Sequence, residues 1–374
     1  MNTISFRASI FTAPDAPLSV QTVELPAQPG SGDVLVRMRA SGVCHSDFHV
    51  RVGEWSAPIP MILGHEGSGV VEAVGDGVTT VQPGDHVVLS WTPSCGRCQY
   101  CISGRPVLCD KFNETTAQHV SFDGRTRVLL PDGTNVSSFV ALGTYGEFAM
   151  VPEPAAIKVR ADIPFAEASL IGCAVTTGIG AAVNTAGIRA GNSVLVIGAG
   201  GVGLNAVQGA RLTDARMIIA ADLSDEKLAV AKTFGATHTI NSGRDDLVET
   251  VRSLTEGRGV EYALEAIGLK KTIELAYQSI ARGGTAVVVG QAPEGVTIEL
   301  DPFEMSDQEK TIKGSNYGSS RPAIDFPRIA DLQMDGQVDL STLVTSRIGL
   351  DDIEDAFAAM KRGEGIRAVI EYPS

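Results

Sequence analysis

Short valine-rich runs broken by polar turn residues fill the chain to about residue 150. "DVLVRMRASG" has the composition and length of a strand, and "GSGVVEAVGDGVTTVQPGDHVVLS" splits into short apolar runs at Gly-Asp and Pro-Gly turns. From Ser193 the pattern changes. Apolar strands alternate with amphipathic helices: "SVLVIGAGGVG", "ARMIIAADLSDEKLAVAKTFG", "ATHTIN", "DDLVETVRSLTEG", "GVEYALEAIG", "KKTIELAYQSIARGG", "TAVVVG" and "KTIKGS". Such alternation predicts a parallel sheet covered by helices on both faces. Past Tyr317 a helical pattern, "LDDIEDAFAAMKRG", leads to a last strand, "RAVIEY", while "PFAEASLIGCAVTTGIGAAVNTAG" reads as a helix joining the two parts. The pattern predicts an α/β chain of two domains, a β-rich one over 1–174 and 317–374 and a parallel-sheet one over 175–316. Neither an internal repeat nor a low-complexity linker interrupts it.

Bulk properties narrow the function. A chain of 374 residues, 44% hydrophobic and 20% charged, has material for two substantial cores. A formal net charge of −14 argues against nucleic acid and anionic membrane, which select clustered Lys and Arg. The start, "MNTISFRASIFTAPDAPLSV", lacks the basic-then-apolar order of a signal peptide, and glycines interrupt the longest apolar runs before they reach a spanning length. The expectation is a cytoplasmic protein, where clustered cysteines point to metal before disulfides.

Four of the six cysteines crowd into one loop, Cys95, Cys98, Cys101 and Cys109. The C-x2-C-x2-C-x7-C spacing suits a tetrahedral zinc wrapped by one loop, with Gly96 and Gly104 for its turns. Four thiolates leave no open position, so that site is structural. An iron–sulfur cluster also takes four cysteines, though its usual runs are spaced differently; unrelated core cysteines are the plain alternative. Cys44 in "GVCHSDFH", His65 in "LGHEGSG" and Cys173 in "IGCAVTTG" supply two sulfurs and one imidazole nitrogen. Three protein ligands leave zinc a fourth position for water or substrate, the catalytic arrangement. Individually, Cys173 reads as core and His65 as a turn residue.

"SVLVIGAGGVGLNAV" holds Gly198-x-Gly200-x-x-Gly203, with Gly201 and Val202 between, after an apolar strand and at the start of a helix. In that context the glycines admit a dinucleotide pyrophosphate to a helix N-terminus. Asp222 closes the next strand, where a carboxylate bonds a ribose 2′-hydroxyl and repels a 2′-phosphate, so NAD is expected over NADP.

Taken in order, Cys44-His45-Ser46-Asp47, Gly64-His65-Glu66, the four-cysteine loop, Gly172-Cys173 and the glycine fingerprint resemble the zinc-dependent medium-chain alcohol dehydrogenases over essentially the whole chain. The resemblance implies a GroES-like catalytic domain holding both zincs and a doubly wound Rossmann cofactor domain. It implies reversible oxidation of primary alcohols to aldehydes, with hydride passing from a zinc alkoxide to NAD and two zincs per chain. It places Asp47 behind His65 and Glu66 beside the metal as an alternative ligand. Ser46 and His49 become a proton relay. His45, Thr177, Lys227 and Arg367 become cofactor contacts, and Trp55 and Trp91 pocket walls. Ala141 stands where a bulkier side chain is common, which suits slim primary alcohols, aromatic or medium-chain. "KFNETTAQHVSFDGRTRVLLPDGTNVSSF" resembles the longer insertion of the branch that oxidises formaldehyde–thiol adducts, the runner-up activity. A zinc-free quinone or enoyl reductase would share the fold but has no use for Cys44, His65 and Cys173. A zinc-stabilised binding module would use the loop alone. The expected partners are a small alcohol or aldehyde and a second copy of the chain, dimer over tetramer, meeting near "TAVVVG" and "QAPEGVTIEL".

Overall fold

The structure, a computed structural model, describes residues 2–373. The chain forms two compact units, Met1–Cys173 with Arg321–Ser374, and Ala174–Ser320. The divisions fall one and four residues from those the pattern predicts.

In the first unit the strands Thr3–Phe11, Ser19–Pro26, Val128–Leu129, Asn135–Ser138 and Met61–Ile62 close a barrel. Beside it lies a mostly antiparallel sheet in the order Ala156–Lys158, His86–Leu89, Glu66–Val74, Asp33–Gly42, Arg367–Glu371, Val344–Ile348. Asp33–Gly42 is central and buried along nearly its whole length, as its run of apolar residues requires. In its register Gly42 lies opposite Glu66 on one neighbour and Val369 on the other. Three strand ends therefore meet where Cys44, His65, Glu66 and Arg367 leave the sheet. The helix Phe165–Leu170 packs over Asp33–Gly42 and Glu66–Val74, with Ser68 Oγ donating to the Phe165 carbonyl at 2.7 Å.

The second unit is a six-stranded parallel sheet in the order His238–Asn241, Met217–Asp222, Ser193–Ile197, Val260–Glu265, Ile280–Val288, Thr311–Gly314. Ser193–Ile197 is fully buried, and from it the strand order runs in both directions. That is the switch point at which open α/β sheets leave a crevice at their carboxyl ends.

Three elements differ from the pattern. The helix expected through Gly284 stops at Ser279, and Ile280 already belongs to the strand. Gly283, at φ +70°, sits in a conformation no helix continues through. A helix the pattern does not predict spans Pro322–Met334, with Pro322 in its first turn and Pro327 inside it; the interior proline, which removes a helical N–H, masks it in sequence. Finally, one segment does reach a spanning length. Helical turns run from Phe165 to Ala186, 22 residues, long and apolar enough to cross a membrane by composition alone. The glycines at 172, 178 and 180 do not interrupt it, and 89% of its most apolar window is buried inside the fold, so it is a core helix.

Candidate metal centre and cofactor cradle

Cys44 follows the central strand and caps the helix His45–Arg51. Its thiol takes a hydrogen bond from the Asp47 amide, and its own amide donates to Asp47 Oδ2 at 3.3 Å. Asp47 is completely buried, and its Oδ1 accepts from Gly64 N at 2.9 Å and from His65 Nδ1 at 3.2 Å. With Nδ1 spent on a carboxylate, His65 presents Nε2 as the ligand nitrogen. Cys173 arrives on a π-helical turn, Ile171–Val175, a local widening that often marks functional sites. Donor atoms of Cys44, His65, Glu66 and Cys173 all lie within 4.8 Å of one another, every residue buried. Two thiolates and one imidazole, with a carboxylate alongside, are the donor set of an open zinc site.

Burial and the neighbouring charges pull the members of that set in opposite directions. The Cys44 thiol is held well below its ordinary range, first by the hydrogen bond shared with Cys173, then by Arg367 and His65, against the cost of burial. Cys173, on the other side of that bond, is pushed up. Burial works against a charged His65, but Asp47 and Cys44 outweigh it and raise the imidazole. Burial lifts Glu66 to about 7 despite Arg367.

Arg367, implied as a pyrophosphate contact, is itself buried. Nη2 lies 3.3 Å from Glu66 Oε1 and donates to Cys44 Sγ at 3.6 Å, and Nη1 donates to the Val43 carbonyl at 3.4 Å. Ser46 Oγ is 3.9 Å from Cys44 Sγ. His49 bonds the Glu54 carboxylate through Nδ1 and stacks on Trp55, centroids 4.8 Å apart; the His45 ring is 6.5 Å away. Trp91 packs on Phe112 at 6.1 Å. Both tryptophans are half-buried against the core.

Several neighbours other than Ala141 have no sequence signal. The Phe139 ring meets the His65 ring edge-on at 5.5 Å, and His119 stacks behind it at 5.4 Å. Val140 and Ala141 both take positive φ, 45° and 57°, and the Val140 amide donates to His119 Nδ1 at 3.1 Å. Tyr145 OH donates to Asp47 Oδ2 at 3.0 Å. Phe139 is far along the chain from His65, and Tyr145 is 98 positions from Asp47. No spacing rule reaches that far.

The other four cysteines converge as well, their sulfurs within 4.8 Å of one another. Cys98 and Cys101 approach to 3.5 Å, and Cys109 Sγ accepts from Cys95 N at 3.3 Å. Gly96 and Gly104 turn the loop at φ +70° and +78°. None of the six cysteines is in a disulfide. The donors fit a closed zinc site.

In the second unit Gly198 turns at φ +97°, and a Cβ on Gly203 would lie 1.7 Å from the Gly198 carbonyl oxygen, so only glycine lets the helix Gly201–Leu212 start so close to the strand. A Cβ on Gly200, the cap of that helix, would meet nothing within 4 Å, the free face a pyrophosphate needs. Asp222 braces this turn, accepting from Ala199 N at 2.8 Å and Ser224 N at 2.9 Å. Lys227 is half-buried in the first turn of the helix Asp225–Thr233, and its amide donates to the capping Ser224 Oγ at 3.3 Å. Thr177 and Val202 are half-buried in the same unit.

Residues 30–161 match the family model described as an alcohol dehydrogenase GroES-like domain, and residues 201–333 match that of a zinc-binding dehydrogenase. The chain is 39% identical to the S-(hydroxymethyl)glutathione dehydrogenase of Paracoccus denitrificans, over 98% of this chain and 99% of that protein. It is a zinc-dependent alcohol dehydrogenase of the medium-chain family. Among solved structures this dehydrogenase superposes on an alcohol dehydrogenase zinc-binding domain protein from Burkholderia ambifaria, TM-score 0.95 and 36% identity, with all of both chains covered. It superposes as well on the benzyl alcohol dehydrogenase of Acinetobacter calcoaceticus, TM-score 0.93 and 32% identity, over 99% of this chain and 100% of that one. The dehydrogenase is thus an oxidoreductase with a GroES-like and a Rossmann-type unit.

Proposed function

We propose that the protein oxidises primary alcohols, aromatic or medium-chain, to aldehydes with NAD, and runs the reaction in reverse. The buried convergence of Cys44, His65 and Cys173 within 4.8 Å, Glu66 beside them, carries this reading. Zinc bound there supplies Lewis acidity that makes an alcohol hydroxyl a stronger acid, and NAD supplies the hydride acceptor. The chain's own residues do the rest. Asp47 orients His65, and Arg367 offsets the thiolate and carboxylate charge. Ser46 Oγ, which both donates and accepts, takes the alcohol proton; His49, backed by Glu54, is the group that hands it to solvent. Asp222 selects NAD over NADP. The four-cysteine loop holds a second, structural zinc. The protein is cytoplasmic and a homodimer; "TAVVVG" begins within the strand Ile280–Val288, which is paired on both sides, so the open edge for a second copy to cover is Thr311–Gly314.

Metal analysis with an alcohol and aldehyde screen tests this. We expect two zincs per chain and turnover of benzyl alcohol with NAD. Cys44→Ser and Cys173→Ser should each hold one zinc, fold, and lose turnover. A wild type that holds no zinc beyond the four-cysteine loop contradicts the reading, and a monomer by sedimentation at micromolar concentration contradicts the dimer.

The likeness to the Paracoccus denitrificans enzyme favours a second reading, oxidation of a formaldehyde–thiol adduct. A kcat/KM for formaldehyde plus glutathione well above that for benzyl alcohol would select it.

A further inference from the structure

We infer that Tyr145 is a positioning residue for the catalytic metal, its phenol fixing His65 through Asp47. The inference rests on the reading that Cys44, His65 and Cys173 hold zinc.

A carboxylate offers about four lone-pair sites. Asp47, fully buried, has four donors: Cys44 N at 3.3 Å, Gly64 N at 2.9 Å, His65 Nδ1 at 3.2 Å and Tyr145 OH at 3.0 Å. On Oδ2 the phenol is the closer of the two. Without it, that oxygen keeps only the long contact to the Cys44 amide. The carboxyl can then turn about its shorter bond to Gly64, and the long bond to His65 is the one that gives.

The phenol is held for this purpose from both sides. Tyr145 N donates to the Leu63 carbonyl at 3.0 Å, Ser9 N donates to the Tyr145 carbonyl at 2.8 Å, and Thr144 N donates to the Gly64 carbonyl at 3.0 Å. The ring lies against Gly64, where a Cβ would fall 2.5 Å from Tyr145 Cδ1. Thr144 is pinned in turn, its Oγ1 2.7 Å from Ser41 Oγ and its carbonyl accepting from Tyr372 OH at 2.6 Å. Burial, then Asp47, pushes the phenol well above its ordinary range, so it remains a proton donor. The residues preceding Gly64 and His65 are thus tied to the segment carrying Tyr145, and the tyrosine's one polar atom is aimed at the group behind the metal ligand.

The experiment is Tyr145→Phe in the full-length zinc-loaded enzyme, which removes one oxygen and no ring volume. Zinc transfer to a chelator is followed in time, with the four-cysteine site as internal reference. Zinc at the Cys44 site should leave about tenfold faster than in wild type, and zinc at the loop at the wild-type rate. The visible bands of cobalt(II) placed at the Cys44 site should shift, and kcat should fall while KM for NAD holds. Tyr277→Phe, which removes a hydroxyl buried in the second unit, should change none of these. Wild-type release and a superimposable cobalt spectrum in Tyr145→Phe overturn the inference, even if the variant melts lower. Should that variant not fold, fluorotyrosine-labelled wild type decides. The Tyr145 resonance must move when the catalytic zinc is withdrawn, and one that stays overturns the inference. A wild type with no zinc at Cys44 refutes the underlying reading instead.

Discussion

Arg367 Nη2 and Glu66 Oε1 form an ion pair 3.3 Å apart, with side chains 5% and 0% exposed. Water screens neither charge, so each depends on the other. Arg367→Met should therefore cost about 3–5 kcal/mol, the usual penalty for leaving one member of a buried pair behind. Pairing it with Glu66→Gln should recover a large part of that loss. Urea unfolding of the four proteins measures the coupling, and additive losses would show that the two side chains act separately.

Cys98→Ser removes one donor from the four-cysteine loop. Structural zinc binding contributes folding free energy, so the loss should be about 2–3 kcal/mol, or ~5–10 °C in the unfolding midpoint. Calorimetry and zinc content together check it: the ratio should fall from two to one while the Cys44 site stays loaded.

His119 sets a pH dependence. Burial lowers its pKa to about 4, and the ring must be neutral for Nδ1 to accept from Val140 N. An unfolded histidine titrates near 6.5. Between those values the unfolded chain binds a proton that the folded chain refuses, so stability rises with pH there. The contribution is complete above about 6.5 and lost as pH falls toward 4, on the order of 1–3 kcal/mol for this partly buried ring. His119→Asn keeps an acceptor and tolerates the left-handed backbone, φ 64°, that the position adopts. Wild-type stability minus variant stability, measured by urea unfolding from pH 4 to 7, should therefore slope upward. A flat difference would show that His119 is not kept neutral.

Asp222→Ser should raise KM for NAD and narrow the NAD-to-NADP ratio, wild type preferring NAD by about a hundredfold for a repulsion of ~3 kcal/mol. The structure adds two refinements. Asp222 also braces the glycine turn through Ala199 N, so part of the loss falls on both cofactors. Asp225 is paired by the two terminal guanidinium nitrogens of Arg244, at 2.7 and 2.9 Å, and contributes less repulsion than its place in "DLSDEK" implies. Steady-state kinetics with both cofactors separates the effects; equal kcat/KM for the two in wild type would remove Asp222 as selector.

What was legible in sequence obeyed local rules. Cys95, Cys98, Cys101 and Cys109 declare themselves by spacing, and the run from Gly198 to Gly203 by its place between strand and helix. Cys44, His65 and Cys173 were legible as a donor set from the two cysteines left over by the loop and one histidine, but not as neighbours, because the register of three strands and a helix brings them together. Asp47 was legible through the family resemblance, whereas Tyr145 was not: its hydroxyl crosses 98 positions to reach Asp47. Arg367 is recognisable in sequence but its place is not, since a sequence does not show that Glu66 lies beside it. Glu54 against His49 is the instructive omission, five residues away and within reach of a helix-end reading.

The π-helical turn Ile171–Val175 gives the metal centre an uneven tolerance to genetic change. In an α-helix each residue advances about 100° around the axis. The wide turn accommodates one residue more than an α-helical turn would. Substitutions at Ile171 leave that count intact, so the Cys173 thiol keeps its heading toward Cys44, whereas Gly172 is held by space as well, since a Cβ there would lie 2.9 Å from the Leu89 carbonyl oxygen. Deleting either residue would swing the thiol by roughly a quarter-turn or more and empty a ligand position without touching any ligand. At Ile171, length is under stricter constraint than composition.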